Sequence, residues 1–582
     1  MALLNLKQFL KDEDQRNIIV LVLFGILIRF WGVTYGLPAV YNSTEYFIAK
    51  HALSLGARKT LEPLFFIYPT FYTYFIAVLF AGYFLIGSVI GWFSGTEDFA
   101  IQFLTNPTNF YLIGRFSNGL MIIISALILY KTVRIFLTAR LSLLISLIFL
   151  TSINIHHFTF WMVPDAMLIL GSVIVVYFMV KLGEAGLNKK SLVFGSLICG
   201  LTISVKYNAG FLALGWLLAV GLFIEGDARK KIQTSLQAIG GILFGFIAGT
   251  PFWVISFSKF LDGFKMISSQ ARYSYNFESG IPYIWEIFKF LETEWLLGCL
   301  IIGIMVVAIL RFNKSNIPYL GIILPTFLYV GSWQKKGLDY LLIILPVLIV
   351  YLSIELKKMN WLKKHNKIVL SFFLLVLLMN IPRILYTDFL RSRPDTRQEA
   401  SQWIIRNLPT GSPLCYDHYH YDLQLLDINR FTHYGQGSRF LSKEIKESLE
   451  KYQKLDGNYQ FISSQTKISN PLLPENLLKV VQSDSFLWQA YTNPHKSLQE
   501  IIDEGAKILV LNSETYQKYL QNPVPSSENP LRTDFINRRV FYERIFDSLS
   551  ETVAFEPDWK TGGPIIKIFD LRKMTNDNPN RN

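Results

Sequence analysis

The stretch Phe160-Trp161-Met162-Val163-Pro164-Asp165, with the apolar run from about 166 to 182 that follows it, decides how this chain is read. The run is long enough to cross a hydrocarbon core of about 30 Å, and its one charge, Lys181, lies at the far end. An acid at the rim of the lipid is costly to keep, which makes Asp165 a functional candidate by default. A second acid stands in the same situation. Glu45, in Tyr41-Asn42-Ser43-Thr44-Glu45-Tyr46, comes just past the first apolar run, about 17–36. That first run is long and lacks a small-residue cleavage site, so it reads as a retained span rather than a signal peptide.

Working outward, such runs recur along most of the 582 residues. The chain is 51% hydrophobic, 15% aromatic and only 17% charged, well below the roughly 25% charge of soluble domains. This composition predicts a polytopic membrane protein, mainly α. The net charge of +13 does not point to nucleic acid, because the basic residues cluster in short loops between spans, where they set orientation. Cys199 and Cys299 lie in apolar runs and Cys415 in the polar tail, so no disulfide framework is expected.

Six basic clusters recur: Lys7/Lys11/Arg16, Lys131/Arg134/Arg140, Lys181/Lys189/Lys190, Arg229/Lys230/Lys231, Arg311/Lys314 and Lys357/Lys358/Lys363/Lys364/Lys367. Placing all six on the cytoplasmic side requires an even number of crossings between neighbours. Spans at about 18–36, 111–130, 141–157, 166–182, 191–205, 209–225, 235–257, 294–310, 316–333, 338–355 and 368–385 meet this condition, about 11 in all. Phe66–Phe93 is then read as a re-entrant or surface-lying element of the outer face. Glu45, Asp165, Lys206 and the tail all fall outside. Two outer loops, 37–110 and 258–293, are too long for simple connectors and are expected to carry function.

Residues 1–390 thus read as a transmembrane domain and 391–582 as a small extracytoplasmic domain. In the latter, Glu399–Leu408 looks like an amphipathic helix ended by Pro409-Thr410-Gly411. Ile508–Leu511 and Pro564–Phe569 look like strands with helical Phe541–Leu549 between them, which suggests an α/β fold. Asp417, His418 and His420 form a D-H-x-H run, read as loop polarity rather than a metal site.

Together these residues resemble the GT-C class of integral-membrane glycosyltransferases, in particular the protein O-mannosyltransferase and lipid A aminoarabinose transferase group. An Asp-Glu-Tyr-like motif after the first span is matched by Thr44-Glu45-Tyr46, and a Tyr-Pro-Pro-like motif by Phe66-Ile67-Tyr68-Pro69. An Arg opening the second span is matched by Arg115, a Tyr-Ala-x-x-Asp-Val-Pro-like motif by Phe160–Asp165, and a Thr-Lys-Tyr-like motif by Ser204-Val205-Lys206-Tyr207. The order of the tail, with Trp403 and Arg406 on a helix and a closing aromatic strand, is also similar.

The resemblance implies a polyprenyl-phosphate-sugar donor and transfer to an acceptor hydroxyl with inversion, at the outer face of a bacterial plasma membrane. The acceptor would be a lipid, a polysaccharide or a protein. It implies catalytic acids at Glu45 and Asp165, cations for the donor phosphate at Lys206, Arg272 and Lys336 with Tyr340, and support from Arg115, Tyr46 and Tyr68. No cofactor is required, although a divalent ion between Glu45 and Asp165 would suit their oxygens. Two positions depart from the group: Thr44 replaces its first acid, and Asp339 stands where relatives often have a basic residue. A catalytically impaired glycolipid-binding relative and a secondary transporter are the alternative readings.

Overall fold

The computed structural model describes residues 12–39, 41–186, 188–272, 313–333, 337–359, 365–417, 422–426, 443–451, 457–469, 475–482 and 485–572, with scattered positions between 287 and 310. It is mainly helical. Helix α1 (Glu13–Phe30) starts at Asp12, whose side chain accepts from the backbone N–H of Asp14. It stops six residues short of the sequence expectation because the chain turns through Gly32 and Gly36, both at left-handed φ (+74° and +77°). A Cβ on Gly36 would lie 2.5 Å from the Tyr41 ring, so this turn requires glycine there.

After it come α2 (Ser43–Ala57), α3 (Phe71–Val89), α4 (Thr96–Thr105), α5 (Thr108–Val133), α6 (Ala139–Leu150), α7 (Ile153–Phe158), α8 (Asp165–Ala185), α9 (Lys189–Ile203), α10 (Gly210–Phe223), α11 (Ala228–Gly249) and α12 (Phe257–Arg272). The membrane part continues through α13 (Ile317–Gly331), α14 (Leu345–Lys358) and α15 (Asn366–Arg391). Six stretches of the described residues are long and apolar enough to cross a membrane: Phe71–Val89, Thr108–Val133, Asp165–Glu184, Ala228–Gly249, Leu338–Lys358 and the run starting at Asn366. The expected span at 294–310 lies almost wholly outside the described residues.

The Phe66–Phe93 region is corrected in one respect. Here α3 is one unbroken helix, so it does not enter and leave the bilayer as a re-entrant hairpin. Near its start the Tyr72 hydroxyl donates to Asn118 Oδ1 (2.9 Å). Farther along, Phe80 and Tyr83 pack on Phe110 at ring distances of 5.2 and 5.6 Å. From Tyr72 to Phe80, α3 thus runs antiparallel beside the Phe110–Asn118 part of α5.

Close backbone approach joins α9 to α11. A Cβ on Gly200 would stand 2.0 Å from the Ile242 carbonyl oxygen, and one on Gly245 2.3 Å from that of Leu197. Small residues permit such contact where apolar burial gives helices little drive to associate. Polar pairs mark the two ends of the bundle. At one end Arg134 Nε meets Asp14 (3.0 Å), Arg140 meets Glu13 (3.5 Å), Lys357 meets Glu184 (3.7 Å), and Lys357 also lies over the Phe136 ring. The opposite end gathers Glu45, Asp165 and Lys206.

Beyond α15 the chain forms α16 (Thr396–Asn407) and a five-stranded sheet of order β2-β1-β3-β5-β4. Strands β1 (Pro413–Asp417), β2 (Gln460–Ile462) and β3 (Ile508–Asn512) are parallel, whereas β4 (Val553–Phe555) and β5 (Ile566–Asp570) join antiparallel. Every residue of β3 is buried, as expected of a central strand covered on both faces. One face packs Ala400 and Ile404 of α16; the other packs Phe535 and Tyr542 of α17 (Arg532–Ser548). The two strands expected from sequence are β3 and β5, and the expected helix at 541–549 is the second half of α17.

Candidate active site

The site forms where several chain segments meet at one end of the bundle. Glu45, on the first turn of α2, is only 1% exposed. Its carboxylate takes a two-pronged ion pair from Arg115 of α5: Nε donates to Oε1 (2.9 Å) and Nη2 to Oε2 (2.8 Å). The remaining guanidinium nitrogen, Nη1, donates to the carbonyls of Val33 and Tyr35, each at 2.8 Å. Phe160 and Trp161 rings lie 5.2 and 4.8 Å from Arg115 Cζ. Paired carboxylate and guanidinium geometry of this kind is strong because two charge-assisted bonds run in parallel.

Glu45 Oε1 also accepts from the backbone N–H of Met162 (2.7 Å). That bond ties it to the Trp161–Asp165 loop. Asn118 Nδ2 grips the same loop by donating to the carbonyls of Trp161 (2.6 Å) and Val163 (2.8 Å). Gly114 leaves the room, since a Cβ there would meet Met162 at 2.1 Å. The loop delivers Asp165 as the first residue of α8, with Pro164 as the cap and no side-chain cap bond. At that position Asp165 is buried rather than left to solvent.

Lys206 Nζ donates to Asp165 Oδ1 (2.9 Å) and to Asp339 Oδ2 (3.0 Å). It also sits 4.7 Å from the centre of the Tyr340 ring. Lys206 does not snorkel to solvent; it is buried, with 7% of its side chain exposed, against 9% for Asp165 and 25% for Asp339. Its place in the break between α9 and α10 agrees with the sequence reading. Asn208 Nδ2 holds the facing turn by donating to the Tyr340 carbonyl (2.9 Å).

Tyr68 is brought to the same cluster. It lies close to Thr44 and within the field of Lys206, Asp165 and Asp339. Its segment is stapled there by Tyr207 OH donating to the Phe66 carbonyl (2.8 Å), Phe71 N–H to the Ser204 carbonyl (3.0 Å), and Thr70 Oγ1 to the Gly249 carbonyl (2.8 Å). The Tyr46 ring lies 6.0 Å from Lys50 Nζ. Arg272 ends α12, but its side chain, like the whole of Lys336, lies outside the described residues.

A divalent ion between Glu45 and Asp165 would have to compete with the cations already paired to those acids. Both Glu45 oxygens are occupied by Arg115, and Lys206 occupies Asp165. Among the described residues no group of three His, Cys, Asp or Glu is gathered for a metal.

Sequence reasoning missed three features. Asp339 was noted only as a departure, although an acid beside a span start carried the same signal as Asp165. A buried charge cluster joins three helices: His156 lies 2.7 Å from Asp388 Oδ1 and 2.8 Å from Arg391 Nη1, while Arg29 donates to Thr159 Oγ1 (3.1 Å). Charges inside apolar runs were its available signal. In the sheet domain, Asp417 at the end of β1 meets His495 Nε2 (3.2 Å) and accepts from Tyr542 OH (2.6 Å). Burial opposes ionisation of Asp417, but the His495 charge and the hydrogen bonds from His495 and Tyr542 outweigh it and hold the carboxyl well below its usual value. His418 and His420 lie outside the described residues.

Comparison with known proteins adds the following. No curated protein matches the sequence. Among solved structures, ArnT from Cupriavidus metallidurans bound to undecaprenyl phosphate is 12% identical, with 95% of this chain and 97% of that one covered and a TM-score of 0.49. The S. cerevisiae protein O-mannosyltransferase complex bound to its sugar donor is 19% identical over 46% of this chain and 36% of that one, TM-score 0.32. An Archaeoglobus fulgidus oligosaccharyltransferase tethered with an acceptor peptide is 12% identical over 95% and 74%, TM-score 0.43. Residues 112–255, which carry Arg115, Asn118, Asp165 and Lys206, match the family model described as dolichyl-phosphate-mannose-protein mannosyltransferase. The resemblance read from the ordered motifs is upheld, and over this segment the chain is similar to that family of integral-membrane glycosyltransferases.

Proposed function

We propose that this chain transfers a sugar from a polyprenyl-phosphate-linked donor to an acceptor hydroxyl, with inversion, at the outer face of a bacterial plasma membrane. One observation carries the reading: the segment similar to the mannosyltransferases contributes Arg115, Asp165 and Lys206, and these converge with Glu45 and Asp339 at one end of the bundle. The pairing of Arg134, Arg140 and Lys357 at the opposite end supports a cytoplasmic assignment for that side.

In this reading Asp165 takes the acceptor proton as the hydroxyl attacks the anomeric carbon, a task for a positioned carboxylate. Lys206 keeps Asp165 aligned and favours its charged form. Glu45, with both oxygens engaged, acts as a positioning residue: it fixes the Trp161–Asp165 loop through Met162 and Arg115. Lys206 already serves two carboxylates, so the charge developing on the leaving lipid phosphate needs further cations. Arg272 and Lys336 are assigned that role. Thr44, which cannot accept a proton at neutral pH, is replaced in the acid count by Asp339, on the same ammonium.

The test is turnover of labelled polyprenyl-phosphate sugars in native envelope membranes, which supply the acceptor, for wild type, Asp165→Asn and Asp339→Asn. Loss of donor consumption in Asp165→Asn is expected. Turnover that survives both substitutions overturns the assignment.

A further inference from the structure

We propose that the C-terminal domain is a working part of the active site, with Asp395 and Arg397 as positioning residues that act through Tyr35 and Tyr41. This inference rests on the glycosyltransferase reading and adds a role to it. The chain of contacts starts at Arg115, whose Nη1 donates to the carbonyls of Val33 and Tyr35. Those carbonyls belong to the short glycine-turned segment after α1, which has turn bonds of its own (Tyr35 N–H to the Gly32 carbonyl, 2.9 Å) and packs at Gly32 on α15, while the hydroxyls of Tyr35 and Tyr41 reach elsewhere.

The C-terminal domain holds it. Tyr35 OH donates to Asp395 Oδ2 (3.0 Å), and Tyr41 OH donates to Asp395 Oδ1 (2.8 Å). Arg397 closes the set: Nη2 donates to the Tyr35 hydroxyl oxygen (2.8 Å) and to Asp395 Oδ2 (2.7 Å), and Nε also donates to Asp395 Oδ2 (3.0 Å). Its guanidinium lies 3.6 Å from the centre of the Tyr41 ring. Behind it, Nη1 donates to Asp422 Oδ2 (3.2 Å), and Asp422 accepts from Tyr416 OH on β1. A separate bond from Gln424 Nε2 to the Leu37 carbonyl (3.1 Å) pins the middle of the segment.

Asp395 and Asp422 are fully buried and Arg397 nearly so. Buried charges of this kind are expensive and persist where the alternative arrangement is worse. Asp395 already caps α16 through the backbone N–H groups of Arg397 and Gln398. Capping alone needs neither tyrosine. Two hydroxyls from a segment more than 350 residues earlier in the chain, aimed at the two oxygens of one carboxylate, serve the segment rather than the helix. From Tyr35 the path to the chemistry is short. Its ring lies 6.0 Å from that of Trp161, and Trp161 stacks on Arg115 and precedes Met162, the donor to Glu45. If the segment loosens, Arg115 loses two of its acceptors and the loop that presents Asp165 loses its support.

The experiment uses the full chain in nanodiscs with the double variant Tyr35→Phe/Tyr41→Phe. It removes only the two hydroxyls and leaves the rings, the α16 cap and the Arg397–Asp395 pair in place. Two readouts are followed: hydrogen exchange over residues 31–46, and donor turnover resolved into kcat and KM. Asp534→Asn, which breaks an ion pair inside the sheet domain with Arg538, is the control for general loosening of that domain. The expected result is faster exchange over 31–46 and a kcat lowered by about 10- to 100-fold, the size of effect that small misplacement produces, with donor KM unchanged. Arg397→Lys, which keeps the charge but not the fork, should lower kcat in the same direction, again with donor KM unchanged. Unchanged exchange, or wild-type kcat despite faster exchange, overturns the proposal. If the wild type itself consumes no polyprenyl-phosphate sugar, the transferase reading fails, and the positioning contact is then judged on exchange alone.

Discussion

Replacing Glu45 by glutamine separates the two roles an acid could play there. In Glu45→Gln one oxygen becomes an NH2 group. Oε1 accepts from Arg115 Nε and Met162 N, and Oε2 accepts from Arg115 Nη2. Whichever way the amide is turned, its nitrogen faces an Arg115 N–H, donor against donor. The guanidinium, 1% exposed, loses one of its two carboxylate bonds and the whole opposing charge, and keeps only the amide oxygen with the Val33 and Tyr35 carbonyls. Breaking a buried ion pair from one side costs about 3–5 kcal/mol. The double variant Glu45→Gln/Arg115→Met also removes the stranded charge, so it should cost less than the sum of the single changes by about 1–3 kcal/mol. Equilibrium unfolding in mixed detergent micelles measures this. Thiol reactivity reports it in a Cys299→Ser background, since Cys199 and Cys415 are buried in the helical and sheet parts respectively. Single changes that add within about 0.5 kcal/mol refute the coupling. A Glu45→Gln protein as stable as wild type but without turnover refutes the positioning role and makes Glu45 the proton acceptor.

Four further outcomes are expected. Asp165→Asn should lower donor turnover by about 10²- to 10⁴-fold, the usual worth of a general base, and Asp339→Asn by less; equal losses measured side by side would count against Asp165 as the sole acceptor. Gly200→Ala should cost about 1–3 kcal/mol, because its Cβ meets the Ile242 backbone, which cannot rotate away; the same unfolding assay, read at Cys199, checks it. The depressed pKa of Asp417 adds stability that is fully present above the ordinary carboxylate range near pH 4 and is lost as pH falls through the lower folded value. Acid unfolding of the sheet domain in the full chain, followed by its tryptophan and tyrosine near-UV circular dichroism, should therefore set in below about pH 4, and an identical acid limb in Asp417→Asn contradicts this. Ser94→Cys, just past α3, should react with an impermeant maleimide on intact cells, whereas protection there would move α3 out of the outer layer.

Much of the fold was legible because apolar length is a local signal. The spans at 111–130, 166–182 and 368–385 fall within α5, α8 and α15, and the Ile508–Leu511 run is the buried central strand. Boundaries were less legible where glycine overrides hydropathy: Trp31–Gly36 reads as more of the first span, yet it turns through two left-handed glycines. The ordered motifs singled out Glu45, Arg115, Asp165, Lys206 and Tyr68, which lie together at one end of the bundle. They did not reveal who pairs with whom. Asp339 reaches Lys206 across 133 positions, and Tyr41 reaches Asp395 across 354. No periodicity in the chain encodes such contacts, which the packing of helices and the docking of the sheet domain create.

The two departures from the family pattern become one once the contacts are known. Tyr68 lies close to Thr44 and within the field of Asp165, Lys206 and Asp339. Positions 44 and 339 therefore both adjoin Tyr68. With Asp165 and Asp339 already on Lys206, a third carboxylate at 44 would add like-charge repulsion in a low-dielectric site, where one acid would be driven to its neutral form. Threonine at 44 avoids that crowding and still offers Tyr68 a hydrogen-bonding hydroxyl. In the transferase reading the acid has not been lost; it is supplied from the start of a different span. That leaves Glu45 free to serve the geometry of the site, which its fully engaged carboxylate already suggests.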